Sequence, residues 1–184
     1  MSIPLFDEII EPNDQTEARR HHLDKMRELV GNVYPNKFDR TSVTGVEDTI
    51  SNLLEFGEIR DVVDEIKQIV STLKERERPA PELKDPLNAK LKALGNVRTS
   101  GRLATPPRVM GKAAFVHLSD GVNRLQIYCR KDDFVLLKNS AHGESLDQAA
   151  SWESFNLFDH GDFVGVEGFL FITNTGELSI HVEK

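Results

Sequence analysis

The sequence predicts a mainly β fold with helices, in which a five-stranded Greek-key barrel follows an α-helical N-terminal segment. Apolar residues recur at helical spacing up to about residue 95 and alternate with polar residues after it. The alternating part contains three strands, a helical pattern and two more strands in about 88 residues. This order is typical of an OB-fold, a small barrel that binds oligonucleotides, although other small barrels share the same strand count.

A first helix is expected to begin at about Thr16, with Thr16 or Asp14 as its cap. Gly31 supplies a stop signal, since glycine commonly follows the last turn of a helix. The apolar residues between these positions recur at helical spacing: Leu23, Met26, Leu29 and Val30.

A second, longer helix is expected over residues 49–76, followed by a linker and a short helix over 87–94. One apolar stripe with spacings of three and four residues predicts the long helix: Ile59, Val62, Ile66, Ile69 and Leu73. Three prolines mark the linker: Pro79, Pro81 and Pro86.

Alternation and turn residues define the strands of the barrel. Asp120–Asn123 predicts a tight turn between the second and third strands, and Asn174–Gly176 predicts a hairpin loop between the fourth and fifth. Residues 145–158 carry the helical pattern that separates the third strand from the fourth. The predicted strands span about 97–105, 112–119, 123–131, 162–172 and 177–183.

The same alternation assigns side chains to the two faces of the barrel. Successive residues of a strand point to opposite faces, so Val116, Ile127 and Ile180 fall on the core side. Ser179 and His181 point outward by the same count. The predicted outward binding face consists of Arg102, Phe115, His117, Gln126, Tyr128 and Glu177.

Charge is distributed unevenly along a chain whose net charge is −7. Residues 97–131 carry seven basic side chains, Arg98 among them, and one acid, Asp120. Such a reversal within a strand-rich block indicates a basic surface patch and favours a polyanionic partner. Exposed aromatic rings can stack on bases, and amide and carboxylate groups can bind base edges. The alternative is that a loop or a partner domain covers Phe115 and Tyr128.

Other function classes find little support in the sequence. The single cysteine, Cys129, excludes an internal disulfide and a Cys-rich metal site, and its inward position predicts a small core residue. No catalytic residue and no metal ligand is predicted, so the His21–His22 pair is interpreted as an ordinary surface pair. His142, His160 and His181 are likewise expected to be solvent-exposed, and Trp152 to pack the helix on the barrel. The absence of a secretory signal and of a membrane-spanning run favours a cytoplasmic location.

Several segments together resemble the N-terminal, anticodon-binding part of class II lysyl-tRNA synthetases. The resemblance covers residues 16–40 and 97–184. The segments are Arg20–Leu29 with Tyr34–Phe38, Gly101–Arg102, Val109–Phe115, Arg124–Tyr128, Asp159–Asp162, Gly165–Gly168 and Thr175–Ser179.

The resemblance implies roles for individual residues. Phe115 would stack on the central uridine of the anticodon, while Gln126 and Glu177 would hydrogen-bond its edge. Alternation and resemblance therefore select the same three residues. Arg102 would lie near the anticodon backbone, with Lys112 and Arg108 contacting phosphates. Together with the outward-facing side chains, the expected RNA-binding set is Phe115, Gln126, Glu177, Arg102, Lys112, Arg108, Arg124, His117 and Tyr128.

The resemblance also implies a division of the chain and a larger parent enzyme. Residues 1–95 would form a helical extension with an inserted helix near 49–76, and residues 96–184 the anticodon-binding barrel. The class II catalytic domain is expected to be absent from this chain. The cofactors ATP and Mg²⁺ are implied for that domain only. The parent, expected to be a homodimer, would attach lysine to its tRNA, and this chain would bind the anticodon stem-loop.

Two departures from the family and three alternatives accompany this interpretation. Residues 45–95 are longer than the family's usual connection, and Thr105–Arg108 is less basic than the usual turn. The first alternative is a stand-alone, sequence-tolerant single-strand binder, and the second is the anticodon domain of an aspartyl- or asparaginyl-type synthetase. The third is a dimerisation module that pairs through the apolar stripe at 59–73 and the barrel face.

Overall fold

A computed structural model describes residues 13–35, 37–75, 77–138 and 143–184. Its centre is a six-stranded sheet closed into a barrel, because β1 pairs with β5 on one side and with β3 on the other. The pairing of β4 with β6 is parallel and the other pairings are antiparallel. The strands are β1 (Asn96–Leu103), β2 (Arg108–Met110), β3 (Ala113–Ser119), β4 (Arg124–Arg130), β5 (Phe163–Ile172) and β6 (Leu178–Val182).

The predicted OB-fold barrel is confirmed, with its five strands close to the predicted positions. The sequence missed the short strand β2, which pairs with β3 at the edge of the sheet. All three of its residues are exposed, so β2 has no buried position to produce an alternating pattern.

Apolar side chains from alternate positions fill the interior of the barrel. Val116, Ile127 and Ile180 are buried, as the alternation predicts. Cys129 is also a core residue with 2% of its surface exposed, and this burial raises the pKa of its thiol well above the ordinary value.

Helix α1 (Asp14–Val30) lies close to the predicted first helix but has a different cap. The side chain of Asn13 accepts hydrogen bonds from the backbone of Gln15 and Thr16, and the Thr16 hydroxyl group accepts one from the Asn13 backbone. The prediction of Thr16 or Asp14 as the cap is therefore wrong. The prediction that the helix ends at Gly31 is confirmed, because Gly31 adopts a φ of 79° there.

The prediction of one continuous helix over residues 49–76 is wrong, because two helices lie there. Helices α2 (Ile50–Glu55) and α3 (Gly57–Ser71) are separated by Phe56, whose backbone is extended. Phe56 packs against the core and Gly57 has low helix propensity, so both residues favour a break at this point.

The apolar stripe on α3 faces the protein's own core. Ile59, Val62 and Ile66 are buried against the rest of the chain. These three residues are not available to a second chain, so a dimer interface built on them is ruled out. The part of that alternative that pairs through the barrel face stays a prediction.

The linker predicted from three prolines is partly helical. Helix α4 (Pro81–Ala93) begins at Pro81, since the first helical residue needs no amide hydrogen. Pro86 lies inside the helix, next to the buried side chains of Leu87 and Leu91 that anchor it on the barrel. The division of the chain into two domains near residue 95 stays a prediction.

The segment between β4 and β5 contains a short helix where the sequence predicts one. Helix α5 (Gln148–Glu153) continues into a 3-10 turn at Ser154–Leu157. Trp152 packs against the core and contacts the ring of Phe155, so the prediction for this tryptophan is confirmed. In the described parts of the chain, no helix combines the length and the apolar character that crossing a bilayer requires.

Candidate nucleic-acid interface

Cross-strand register places the predicted outward side chains in two neighbouring rows on the outside of the barrel. Directly paired residues of adjacent strands share a face of the sheet, so each row is fixed by backbone pairing. The first row is aromatic and consists of Phe115, Tyr128, His181 and Phe169. The second row is largely polar and consists of His117, Gln126, Ser179 and Phe171.

Glu177 joins the polar row from the end of the β5–β6 hairpin. Its Oε2 accepts a hydrogen bond from Gln126 Nε2 at 2.9 Å, and its Oε1 lies 2.9 Å from His117 Nε2. The Ser179 hydroxyl group donates to Gln126 Oε1 at 2.8 Å. Because the amide oxygen is engaged by Ser179, the amide nitrogen faces the carboxylate. The arrangement presents an N–H donor and a carboxylate acceptor side by side, and 46% of the Glu177 side chain is exposed.

The aromatic row holds Phe115 in place from one side. Ring centroids of Phe115 and Tyr128 are 4.9 Å apart, Tyr128 and His181 are 5.1 Å apart, and His181 and Phe169 are 4.8 Å apart. Lys92 Nζ lies 5.3 Å from the centroid of Phe169 at the other end of the row. Phe115 is half-buried, and the exposed Arg108 of β2 is its direct partner in the β2–β3 pairing. A base stacked on Phe115 would therefore meet a packed ring and a nearby cation.

Sequence reasoning missed Phe169, Phe171 and the packing of His181. The alternation in β5 could have identified both phenylalanines. Leu170 and Ile172 point inward, so Phe169 and Phe171 point outward.

The prediction that His160 is solvent-exposed is confirmed, and His142 lies outside the described residues. The same prediction is wrong for His181. Its side chain is 18% exposed, packs against three rings, and lies 3.1 Å from Asp133 Oδ2 through Nε2.

Ser179 and His22 make contacts that the sequence did not predict. Ser179 lies on the outward side, as the alternation predicts, but is fully buried and in contact with the Gln126 amide. His22 is not an ordinary surface residue, because its Nδ1 lies 3.2 Å from Asp159 Oδ2 and links α1 to the barrel.

The predicted phosphate-binding cations differ in their surroundings. Arg124 is exposed and lies two residues from Gln126 on the same side of β4. Lys112 is also exposed, with Nζ 3.4 Å from Asp132 Oδ2. Arg102 is paired with Ser119 across β1 and β3, but its guanidinium group donates to the Gly161 carbonyl at 2.6 Å and lies 4.3 Å from the Phe163 ring centroid.

Arg98 belongs to a separate ion-pair cluster and not to the basic surface patch. Its Nη2 lies 2.5 Å from Glu167 Oε2, and Lys184 Nζ lies 3.2 Å from Glu167 Oε1. Burial opposes ionisation of Glu167, but the hydrogen bonds and charges of Arg98 and Lys184 outweigh it and lower the pKa of that carboxyl group. The count of seven basic residues in 97–131 therefore overstates the surface charge.

Within the ranges that the structure describes, no group of three or more His, Cys, Asp or Glu side chains could hold a metal ion.

Comparisons with known proteins agree with the fold. Residues 97–184 match the model of a family described as an OB-fold nucleic acid binding domain. The chain is 36% identical over 180 residues to the lysine–tRNA ligase of Aeromonas salmonicida, and 34% identical over 174 residues to that of Staphylococcus saprophyticus. These alignments cover 97% and 95% of this chain but 26% of each relative. The chain thus spans about a quarter of the length of the curated relatives that it matches.

Proposed function

Since residues 97–184 belong to the family of OB-fold nucleic acid binding domains and form an anticodon-binding domain of the lysyl-tRNA synthetase type, we propose that their outward face reads the central uridine of the lysine tRNA anticodon. The observation that carries the proposal is the Gln126–Glu177 pair, whose donor and acceptor are fixed beside the Phe115 ring.

The donor and acceptor groups of this pair complement the edge of uracil. Uracil presents its N3–H next to the O4 carbonyl, so Glu177 can accept from N3–H while the second hydrogen of the Gln126 amide reaches O4. Cytosine presents an unprotonated N3 and an amino group at the same places. A cytosine would therefore set its N3 lone pair against the carboxylate, which gives no hydrogen bond and adds repulsion.

Stacking and phosphate contacts complete the proposed site. Phe115 supplies the surface on which the flipped uracil lies, with Tyr128 packed behind it. Arg108 and Arg124 flank the two rows and neutralise phosphates of the loop, with Arg102 further along the same side and the exposed Lys112 just before β3. His117 acts on the base through Glu177, since its Nε2 is bonded to that carboxylate.

The parent protein is proposed to be a lysine–tRNA ligase that acts in the cytoplasm as a homodimer. The alignments with the relatives that bear this name cover about a quarter of those proteins. Lysine activation would use ATP and Mg²⁺ in a catalytic domain outside these residues. The role of the present residues is to bind the anticodon stem-loop and orient the tRNA.

A titration with two anticodon stem-loops tests the proposed function. One loop carries uridine at the central position and the other carries cytidine, with all other nucleotides identical. We expect the cytidine loop to bind this chain more weakly by about 1 kcal/mol or more, because one bidentate edge contact is lost. In Glu177→Gln the difference should shrink, since the neutral amide can also donate to cytosine N3. Equal, salt-sensitive binding of both loops by the wild-type chain would instead support a sequence-tolerant single-strand binder.

A further inference from the structure

We propose that the helical segment at residues 50–93 is part of the reading site: it braces the two turns that position Gln126 and Glu177 and thereby sets the selectivity for uridine. We call this segment, which comprises α2, α3 and α4, the helical brace. The inference rests on the proposed function and adds to it the residues that hold the reading pair at its working distance.

The first braced turn is Asp120–Asn123, which leads into β4 and Gln126. The Ser51 amide and hydroxyl groups donate to Asp120 Oδ2 at 2.8 and 2.6 Å, and Asn123 Nδ2 donates to Ser51 Oγ at 3.0 Å. Asp120 also accepts from the backbone of Val122 and Asn123, so one carboxylate closes the turn and ties it to α2.

The second braced turn is the β5–β6 hairpin at residues 173–176, which leads directly into Glu177. Asn88 Oδ1 in α4 accepts a hydrogen bond from the Ile172 backbone amide at 2.7 Å, and Lys84 donates to the side chain of Asn174. The brace also packs closely against the tip of the hairpin. A Cβ atom added at Gly176 would lie 2.6 Å from Val70 Cγ2, so only a glycine allows this approach.

The sheet itself does not fix Glu177 relative to Gln126. The parallel pairing of β4 with β6 begins at Gln126 and Ser179, so Glu177 lies beyond the last paired residue of that ladder. Its backbone is held instead within its own hairpin, through the Thr173 amide and hydroxyl groups. The distance between the Gln126 amide and the Glu177 carboxylate therefore depends on how the two turns are placed, and the brace contacts both.

A loosened turn should affect base selectivity more than overall affinity. Recognition of a base edge needs donor and acceptor positions held to within about 0.5 Å, whereas phosphate contacts tolerate larger displacements. Loss of a brace contact leaves Phe115 and the cations in place, so stacking and salt-dependent binding persist. The ratio of the affinities for the uridine and cytidine loops therefore measures the effect of the helical brace on base selectivity.

The test replaces Asn88 with alanine and uses Asn52→Ala as a matched control. Asn52 lies in the same segment, but its amide donates to the Glu47 carbonyl and is not part of either braced turn. We expect Asn88→Ala to lower the uridine-to-cytidine affinity ratio at least threefold without changing the salt dependence, and Asn52→Ala to match the wild type. Asn88→Asp retains an acceptor oxygen and should restore the ratio.

A second pair of variants tests the other turn. Ser51→Ala removes the hydroxyl group that bonds Asp120, whereas Ser71→Ala removes a hydroxyl group that bonds only the Gln68 carbonyl within α3. We expect the affinity ratio to fall in Ser51→Ala and to stay at the wild-type value in Ser71→Ala. Ratios within about 1.5-fold of the wild type in both Asn88→Ala and Ser51→Ala would overturn the brace while leaving the proposed function intact.

Amide hydrogen exchange in the RNA-free proteins distinguishes a failure of the proposed function from a failure of the helical brace. A wild-type chain that binds both loops equally would overturn the proposed function and, with it, the role of the brace in selectivity. Exchange at Thr173 and Glu177 should still be faster in Asn88→Ala than in Asn52→Ala if the brace holds the hairpin. Equal exchange in the two variants would overturn the brace itself.

Discussion

Two glutamates on the outside of the barrel, Glu167 and Glu177, have opposite surroundings. The side chain of Glu167 is 16% exposed and lies between two cations, Arg98 and Lys184. The side chain of Glu177 is 46% exposed and bonds the Gln126 amide and the His117 ring. The first carboxylate has its charge compensated inside the structure, whereas the second keeps accessible lone pairs and a solvent-facing charge.

This difference distinguishes a structural ion pair from a candidate binding group. A carboxylate enclosed by two cations gains little from a further donor, because its hydrogen-bonding capacity is already used. A carboxylate held by an amide and an imidazole can accept another N–H without displacing a salt bridge. The difference predicts that substitutions around Glu167 change the free energy of unfolding, and that substitutions around Glu177 change the free energy of RNA binding.

The largest expected effect is on stability in Arg98→Ala. Removal of the Arg98 side chain leaves the poorly solvated Glu167 carboxylate with only Lys184 beside it. This loss should lower the free energy of unfolding by about 2–3 kcal/mol. Urea denaturation of the two proteins measures the change. The uridine-to-cytidine affinity ratio of the folded variant should equal that of the wild type, and a lowered ratio would contradict the separation of the two regions.

The next effect is on RNA binding in Phe115→Ala. Loss of the stacking surface should weaken binding of the uridine stem-loop by about 1–3 kcal/mol, as for other bases stacked on aromatic side chains. Isothermal titration at constant salt measures the loss. Tyr34→Ala removes an exposed ring in the segment after α1 that belongs to neither row, and should leave the affinity unchanged. Unchanged binding in Phe115→Ala would rule out the stacking role.

The smallest effect is the acid dependence of the Glu167 cluster. The folded-state pKa of Glu167 is lowered relative to the unfolded chain, so its contribution to stability is complete above the unfolded pKa of about 4.3. That contribution is lost as the pH falls through the folded-state pKa. The stability difference between wild type and Arg98→Ala should therefore shrink below about pH 4. A difference that stays constant from pH 7 to pH 3 would contradict the ion-pair explanation.

Asp120 adds a second acid-sensitive contact at the braced turn. Its burial opposes ionisation, but hydrogen bonds from Ser51, Val122 and Asn123 lower its pKa to about 2. The link between α2 and the turn should thus persist well below the ordinary pKa of an aspartate. The Arg98→Ala variant keeps the Asp120 hydrogen bonds. Its acid denaturation therefore shows the contribution of Asp120 to stability without that of the Arg98–Glu167 ion pair.

Much of the proposed reading site was predictable from the sequence because strand alternation is a local property. Phe115, Gln126 and Glu177 occupy outward positions by residue parity. Backbone pairing then places Phe115 and Gln126 in neighbouring rows, whereas Glu177 is placed by its hairpin and by its side-chain hydrogen bonds. The same rule would have found Phe169 and Phe171 in β5. Helical spacing likewise predicted the buried stripe of α3.

Other features were decided only by the tertiary structure, because they depend on which distant groups meet. The ion pair of Arg98 with Glu167 and the burial of Ser179 in contact with Gln126 each require a partner far away in the chain. The break at Phe56 depends in part on the packing of its ring against the core. The sequence alone determined the barrel, the faces of its strands and the identity of the candidate reading residues, since these follow from periodicity. Tertiary packing decided which charges are compensated and which turns are held, since such contacts form only when the closed barrel and the helices meet.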